Sequence, residues 1–143
     1  MKKSLRKVPF VGKACESAGF IFVDKSSPRK IYETIKHAEK VLQGGTSLVV
    51  FPEGRRTFTG HMNEFKKGAF LMADQLQLPV VPMTIDGSFE VLPRTGKLLS
   101  WHRLRLTIHT PIYPKGKGEE NLKELMTESY QAIESGLPEK YRN

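Results

Sequence analysis

Between Phe51 and Phe58 the chain reads FPEGRRTF, directly after the apolar run SLVV. A carboxylate at Glu53 and guanidinium groups at Arg55 and Arg56 flank Gly54, with the Thr57 hydroxyl next in line. Arginine presents a planar fork of donors that matches a phosphate through two hydrogen bonds, whereas lysine supplies a mobile point charge. Glu53 would accept hydrogen bonds from a substrate hydroxyl while a guanidinium holds that substrate's phosphate. Gly54 lets the backbone come close to a ligand, and Thr57 adds a hydroxyl donor. The ligand such a set suits is a small polyol phosphate. The same residues also suit a surface Glu–Arg ion pair in a turn, and the octapeptide by itself leaves the two readings level.

The elements that must position this stretch alternate between strand and helix signals. AGFIFVD reads as a short buried strand. SSPRKIYETIKHAEKVLQGG reads as a helix, with Ser27 as N-cap and Pro28 in the first turn. Its inward face is Ile31, Ile35, Ala38 and Leu42, and Gly44-Gly45 ends it. TSLVVF is a continuous apolar strand of the kind covered on both faces in a parallel sheet. NEFKKGAFLMADQLQ follows as a helix capped by Asn63, with Phe65, Ala69, Met72 and Leu76 inward. LPVVPMTI is a third strand limited by its prolines. RLRLTIHTPI alternates like a half-exposed strand, with His109 expected on its polar side. GEENLKELMTESYQAIESG closes as a helix with an acidic first turn. This order predicts an α/β fold: a mostly parallel sheet flanked by helices, in a single domain over 1–143. Ligands of such sheets sit beyond the carboxyl ends of strands, where Asp24-Lys25 and Pro52 to Arg56 both fall, so the two segments are expected at one crevice.

Composition narrows the classes. The chain has 143 residues, 38% apolar and 27% charged, which suits one globular domain rather than a disordered chain. Its net charge of +8 is unevenly placed: Lys2, Lys3, Arg6, Lys7 and Lys13 open the chain with no acid among them, whereas the acids gather from Glu119 to Glu134. Such a basic face attracts phosphorylated small molecules, anionic lipid headgroups or nucleic acid. The last is disfavoured, because basic and aromatic residues form no stacking platform. Cys15 is alone, so no intramolecular disulfide forms, and a reducing compartment is compatible. No apolar run approaches the ~20 residues of a spanning helix, and no secretory signal is present; resting on a membrane stays open. No metal-ligand spacing, Cys-x-x-Cys, Gly-x-Ser-x-Gly or Walker loop occurs. His37 reads as a surface or boundary residue, His61 as an ordinary loop histidine, with approach to a substrate the lesser reading, and His102 as half of an interfacial pair with Trp101. The stretch VLPRTGKLLSWHRLRL mixes cations with Leu98, Leu99 and Trp101, which suits a loop at a lipid interface and equally a strand with a charged edge.

FPEGRRT resembles the FPEGTRS signature of the glycerolipid acyltransferases, the lysophosphatidic acid acyltransferase family. KKSLRKVPFVGKACESAGFIFVDKSSPRK resembles the family's segment before and through its second block. FKKGAFLMA is similar to its helix after the FPEG loop, and LPVVPMTIDGSFEVLP to its fourth block. Order and spacing agree over roughly residues 2–112. The resemblance implies transfer of a fatty acyl group from acyl-CoA or an acyl carrier protein to the free hydroxyl of lysophosphatidic acid, in phospholipid biosynthesis. It implies no bound cofactor and no metal, a lysophospholipid and a thioester as partners, and a peripheral place on the cytoplasmic face of a membrane. Carried over, Glu53 contacts the glycerol part of the acceptor, Arg56 binds its phosphate and Gly54 shapes the loop. Lys3, or Lys2 beside it, stands near another phosphate-binding base of the family.

The chain departs from the pattern in three places. The family's general base is a histidine in a His-four-residues-Asp motif, but five positions after His37, His61, His102 and His109 stand Leu42, Lys66, Thr107 and Pro114. The domain is therefore expected to be N-terminally truncated, with no catalytic residue of its own and little activity by itself. Lys25 replaces an arginine in the second block, keeping the charge but losing the fork, and would share the phosphate. Arg55 replaces a threonine and adds a second cation beside Arg56. Without the base, the alternative is a non-catalytic module that binds phosphate or anionic lipid.

Overall fold

The computed structural model describes residues 8–22, 26–96 and 98–143. It divides into two compact units, one up to Val49 and one from Val50 onward. In the first, helix α1 spans Val11–Ser17 and helix α2 spans Pro28–Gln43. α2 starts and stops where its local chemistry dictates. The Ser27 hydroxyl accepts from the Lys30 amide at 3.4 Å, Pro28 fills the first turn, and Gly44 and Gly45 close the end, Gly45 at φ 81°. Ala38 is buried on its inner face, with Ile35 and Leu42 half-buried, and His37 is exposed as expected.

The second unit is built on helix α3 (Lys67–Leu76), strand β1 (Met83–Asp86), helix α4 (Ser88–Val91), strand β2 (Arg105–Ile108) and helix α5 (Glu119–Ser135), with a 3-10 turn at Glu139–Tyr141. Phe70 of α3 and Leu122 and Leu125 of α5 form the buried core, and Phe65, Val80, Ile112 and Met126 pack around it. Phe65 stacks on Phe70 with ring centroids 5.9 Å apart. Asp74, buried on α3, accepts from the Asn121 side chain and, at 3.2 Å, from the Gly118 amide. A carboxylate there satisfies amide donors at the positive end of α5, so burying it is not a penalty.

β1 and β2 pair antiparallel, Met83 opposite Ile108 and Asp86 opposite Arg105. Two expectations change here. First, the α/β class stands, but the sheet among the described residues is this antiparallel pair. Residues 20–22 and 46–50, read as strands from their apolar runs, lie in no strand. An apolar run supplies the propensity to pair; the ladder itself needs a neighbour, and neither stretch has one among the described residues. Second, His109 faces inward. Thr84 is buried and donates to the Ile133 carbonyl of α5 at 2.7 Å, so its single proton is used and His109 Nε2, 2.8 Å away, must be the N–H that donates to it. Leu106 and Ile108 therefore point away from α5 and are exposed. The α3 expectation also shifts: the helix begins at Lys67, not at an Asn63 cap, and its buried residues are Phe70, Ala73 and Asp74. Among the described residues, no helix is long and apolar enough to cross a membrane, and no group of three or more His, Cys, Asp or Glu is placed to hold a metal ion.

Candidate functional site

The stretch from Phe51 to Lys66 is a loop that leads into α3. Its neck is closed by the Lys66 amide donating to the Pro52 carbonyl at 2.8 Å, and its first turn by the Gly54 amide donating to Phe51 at 3.1 Å. Gly54 sits at φ 69°, where a side chain would be strained. Glu53 is half-buried, and one oxygen, Oε2, accepts two hydrogen bonds from one residue, the Asn63 amide and the Asn63 side-chain Nδ2, both at 2.7 Å. Oε1 takes none among the described residues. The carboxylate is thus fixed in orientation with one oxygen left open.

Neither arginine pairs with it. Among the described residues no ion pair joins Glu53 to Arg55 or Arg56, so the plain ion-paired turn is not what this loop is. Arg55 is exposed and has no partner there. Arg56 donates through Nη1 to the Leu92 carbonyl at 3.4 Å, and Arg94 donates back to the Arg56 carbonyl at 3.1 Å. Arg94 also lies over the Phe58 ring, 3.9 Å from its centroid. This reciprocal clip ties the loop to the segment after α4 while most of the Arg56 fork stays unused. Thr57 is half-buried, and its hydroxyl accepts from the Thr59 amide at 3.2 Å, shaping the turn.

Glu53, Gly54, Arg55, Arg56 and Thr57 are therefore on one loop of one unit. Lys3 and Lys25 lie outside the described residues, as does Asp24, so their expected place at the same crevice does too. His61 is half-buried, its ring edge-on to Tyr141 with centroids 6.2 Å apart. Three contributors escaped the sequence reading: Asn63, read as a helix cap; Arg94, one cation of a stretch read equally as an interfacial loop and a charged strand edge; and Tyr141, for which no motif signals a role. The first two were visible as polar residues near the motif; what they would touch was not.

Behind the loop, Tyr141 and Lys140 donate to Glu90 Oε1 of α4 at 2.7 and 3.1 Å, and Asn143 donates to the Met62 carbonyl at 3.4 Å. Burial pushes the Glu90 carboxyl up, but the hydrogen bonds from Tyr141 and Lys140 outweigh it and hold the group below its ordinary 4.5. Its contribution to stability is then fully present above that ordinary value and is lost as pH falls through the lower, folded one. Lys140 is raised above 10.5, first by its hydrogen bond to Glu90, so its contribution is lost only as pH rises past that value. We expect Glu90→Gln to flatten the acid limb of the thermal-midpoint profile below about pH 4.5. An unchanged acid limb would show that this cluster does not brace the loop.

Comparison with known proteins gives a consistent picture. The pattern of the acyltransferase family matches residues 1–86. The chain is similar to a chloroplastic 1-acyl-sn-glycerol-3-phosphate acyltransferase, BAT2, of Brassica napus, 33% identical over 113 residues, which are 78% of this chain and 33% of the relative. It is similar to the 1-acyl-sn-glycerol-3-phosphate acyltransferase of Helicobacter pylori, 31% identical over 135 residues, 90% of this chain and 56% of the relative. Among solved structures it resembles the 1-acyl-sn-glycerophosphate acyltransferase PlsC of Thermotoga maritima, with a TM-score of 0.80 and 28% identity, over 94% of this chain and 53% of that one. The chain thus spans between a third and just over half of the length of these relatives. By the family match over more than half of its residues, by these similarities and by its fold, this chain belongs to the acyltransferase family.

Proposed function

We propose that the loop from Phe51 to Asn63 is the acceptor-binding element of a 1-acyl-sn-glycerol-3-phosphate acyltransferase. In that reaction the free hydroxyl of lysophosphatidic acid attacks the carbonyl of an acyl thioester, the C–O ester bond forms, the C–S bond breaks, and the hydroxyl proton passes to a base while the thiol leaves. Acyl-CoA and an acyl carrier protein are the two donors of the right chemistry. In this reading Arg56 holds the acceptor's phosphate, Arg55 adds a second cation beside it, and Glu53 Oε1 accepts from the glycerol part. Gly54 and Thr57 set the turn, and Lys25 and Lys3 add phosphate-binding charge. The base is assigned to none of the four histidines of this chain, because none has an aspartate five residues on. Because the acceptor is itself a lipid, the protein would work at a membrane surface.

The observation that carries the reading is the state of the charges: a carboxylate fixed by Asn63 rather than by arginine, beside two guanidinium groups that meet no acid. Preorganised, unneutralised donors are what a phosphate site needs, since the ligand then supplies the missing counter-charge. The relatives carry it further, through the reaction their names give. Calorimetry tests it on the chain as it stands: glycerol 3-phosphate should bind and glycerol should not. Equal behaviour of the two would sink the assignment.

A further inference from the structure

From Val91 to Ile108 the chain contains no Asp or Glu. Its apolar residues there are not stored in the core. Leu98 and Leu99 are 83% and 76% exposed, Trp101 is completely exposed, and Leu104 is 57% exposed. Arg103 and Arg105 alternate with Leu104 and are exposed as well. A segment that needed only solubility would not spend its largest apolar side chains on water, and a segment that packed inward would not leave them there.

We infer that Leu98 to Arg105 is a docking edge for an anionic bilayer surface, with Trp101 and the leucines entering the headgroup region and Arg103 and Arg105 meeting lipid phosphates. The charge pattern selects this occupant. A second copy of the chain, meeting this edge through a two-fold, would bring one basic, acid-free stretch against another. An anionic membrane supplies the opposite charge and an apolar layer together, and tryptophan favours the depth where one meets the other. Arg94, near the start of the same acid-free stretch of sequence, is the residue that donates to the Arg56 carbonyl of the proposed acceptor loop.

Trp101 is the only tryptophan of the chain, so its emission reports this edge alone. With vesicles of phosphatidylcholine and phosphatidylglycerol the emission should shift to the blue and be quenched by brominated lipid. Pure phosphatidylcholine should give a much weaker shift, and added salt should reverse binding to the anionic vesicles. Replacing Arg103 and Arg105 together by glutamine removes two surface charges and should lower the vesicle partition roughly thirtyfold. Replacing Leu98 and Leu99 by serine should lower it as well, with Trp101 kept as reporter. No shift with either vesicle would overturn the inference. So would an unchanged partition in the arginine variant, or a shift that follows protein concentration without lipid, which would mark a contact between copies. The inference rests on a lipid acceptor for its purpose, but the vesicles contain no lysophosphatidate, and excess glycerol 3-phosphate should leave the shift unchanged. Failure at this edge and failure at Arg56 are therefore told apart.

Discussion

Arg56→Ala should weaken glycerol 3-phosphate binding roughly thirty- to a hundredfold, while Arg56→Lys should recover only part of the loss. The size follows from what is removed. A charge-assisted hydrogen bond contributes about 1.5–3 kcal/mol, and a guanidinium offers two to one phosphate where an ammonium offers a single point charge. Stability should change by no more than about 0.5 kcal/mol, because the side chain is exposed and its one internal bond, to Leu92 at 3.4 Å, is long. That separation of effects is the useful part. A variant that binds poorly but melts normally places the loss in the ligand contact. Titration calorimetry and a thermal melt on the same sample give both numbers. Binding within threefold of the parent would move the phosphate to another cation, with Arg55 first in line.

What could be read from the sequence was what local chemistry decides. Ser27 and Pro28 start α2 and Gly44-Gly45 end it because a cap, a fixed φ and a left-handed glycine act within one turn. The core helices α3 and α5 follow from apolar spacing, though the buried row of α3 turned toward Phe70 and Ala73 to bring Asp74 to the start of α5. Illegible were the choices made between distant residues. Asn63 ahead of a helix has the chemistry of a cap, and the same amide serves a carboxylate ten positions back equally well. Alternation along β2 gives two faces without saying which meets a helix. Here Thr84 donates to the Ile133 carbonyl of α5, which fixes that face inward and leaves the apolar face outside. The strand runs near Phe20 and Val49 depend on partners that no local pattern names. For the site, the loop's residue types were legible and its supports were not: Asn63 behind Glu53, Arg94 behind Arg56, and Tyr141 behind the turn at Gly60.

The largest effect on stability should come from Gly87→Ala, a position outside the loop that nonetheless holds it. Gly87 is at φ 88°, which costs an L residue about 1–2 kcal/mol, and a Cβ there would lie 2.1 Å from the Arg103 carbonyl oxygen. Backbone cannot swing aside as a side chain can, so overpacking adds about 1–3 kcal/mol, for a total of about 2–5. Gly60 makes the contrast. Its φ is 92° and its Cβ would lie 2.3 Å from the Tyr141 ring, but a ring can rotate away, at the expense of its hydrogen bond to Glu90. Gly60→Ala should therefore cost less, and a Tyr141→Ala background should recover part of that cost, whereas no single side-chain truncation should rescue Gly87→Ala. Urea midpoints at constant slope measure all of this. The Gly87 contact joins β1, the start of α4 and the segment at Arg103 that leads into β2. Opening it would loosen the Asp86–Arg105 pairing and, through α4, the Leu92 carbonyl and Arg94 that flank Arg56. Gly87→Ala should for that reason weaken glycerol 3-phosphate binding even at temperatures where the protein stays folded. A folded variant with full affinity would show that the loop keeps its shape without α4.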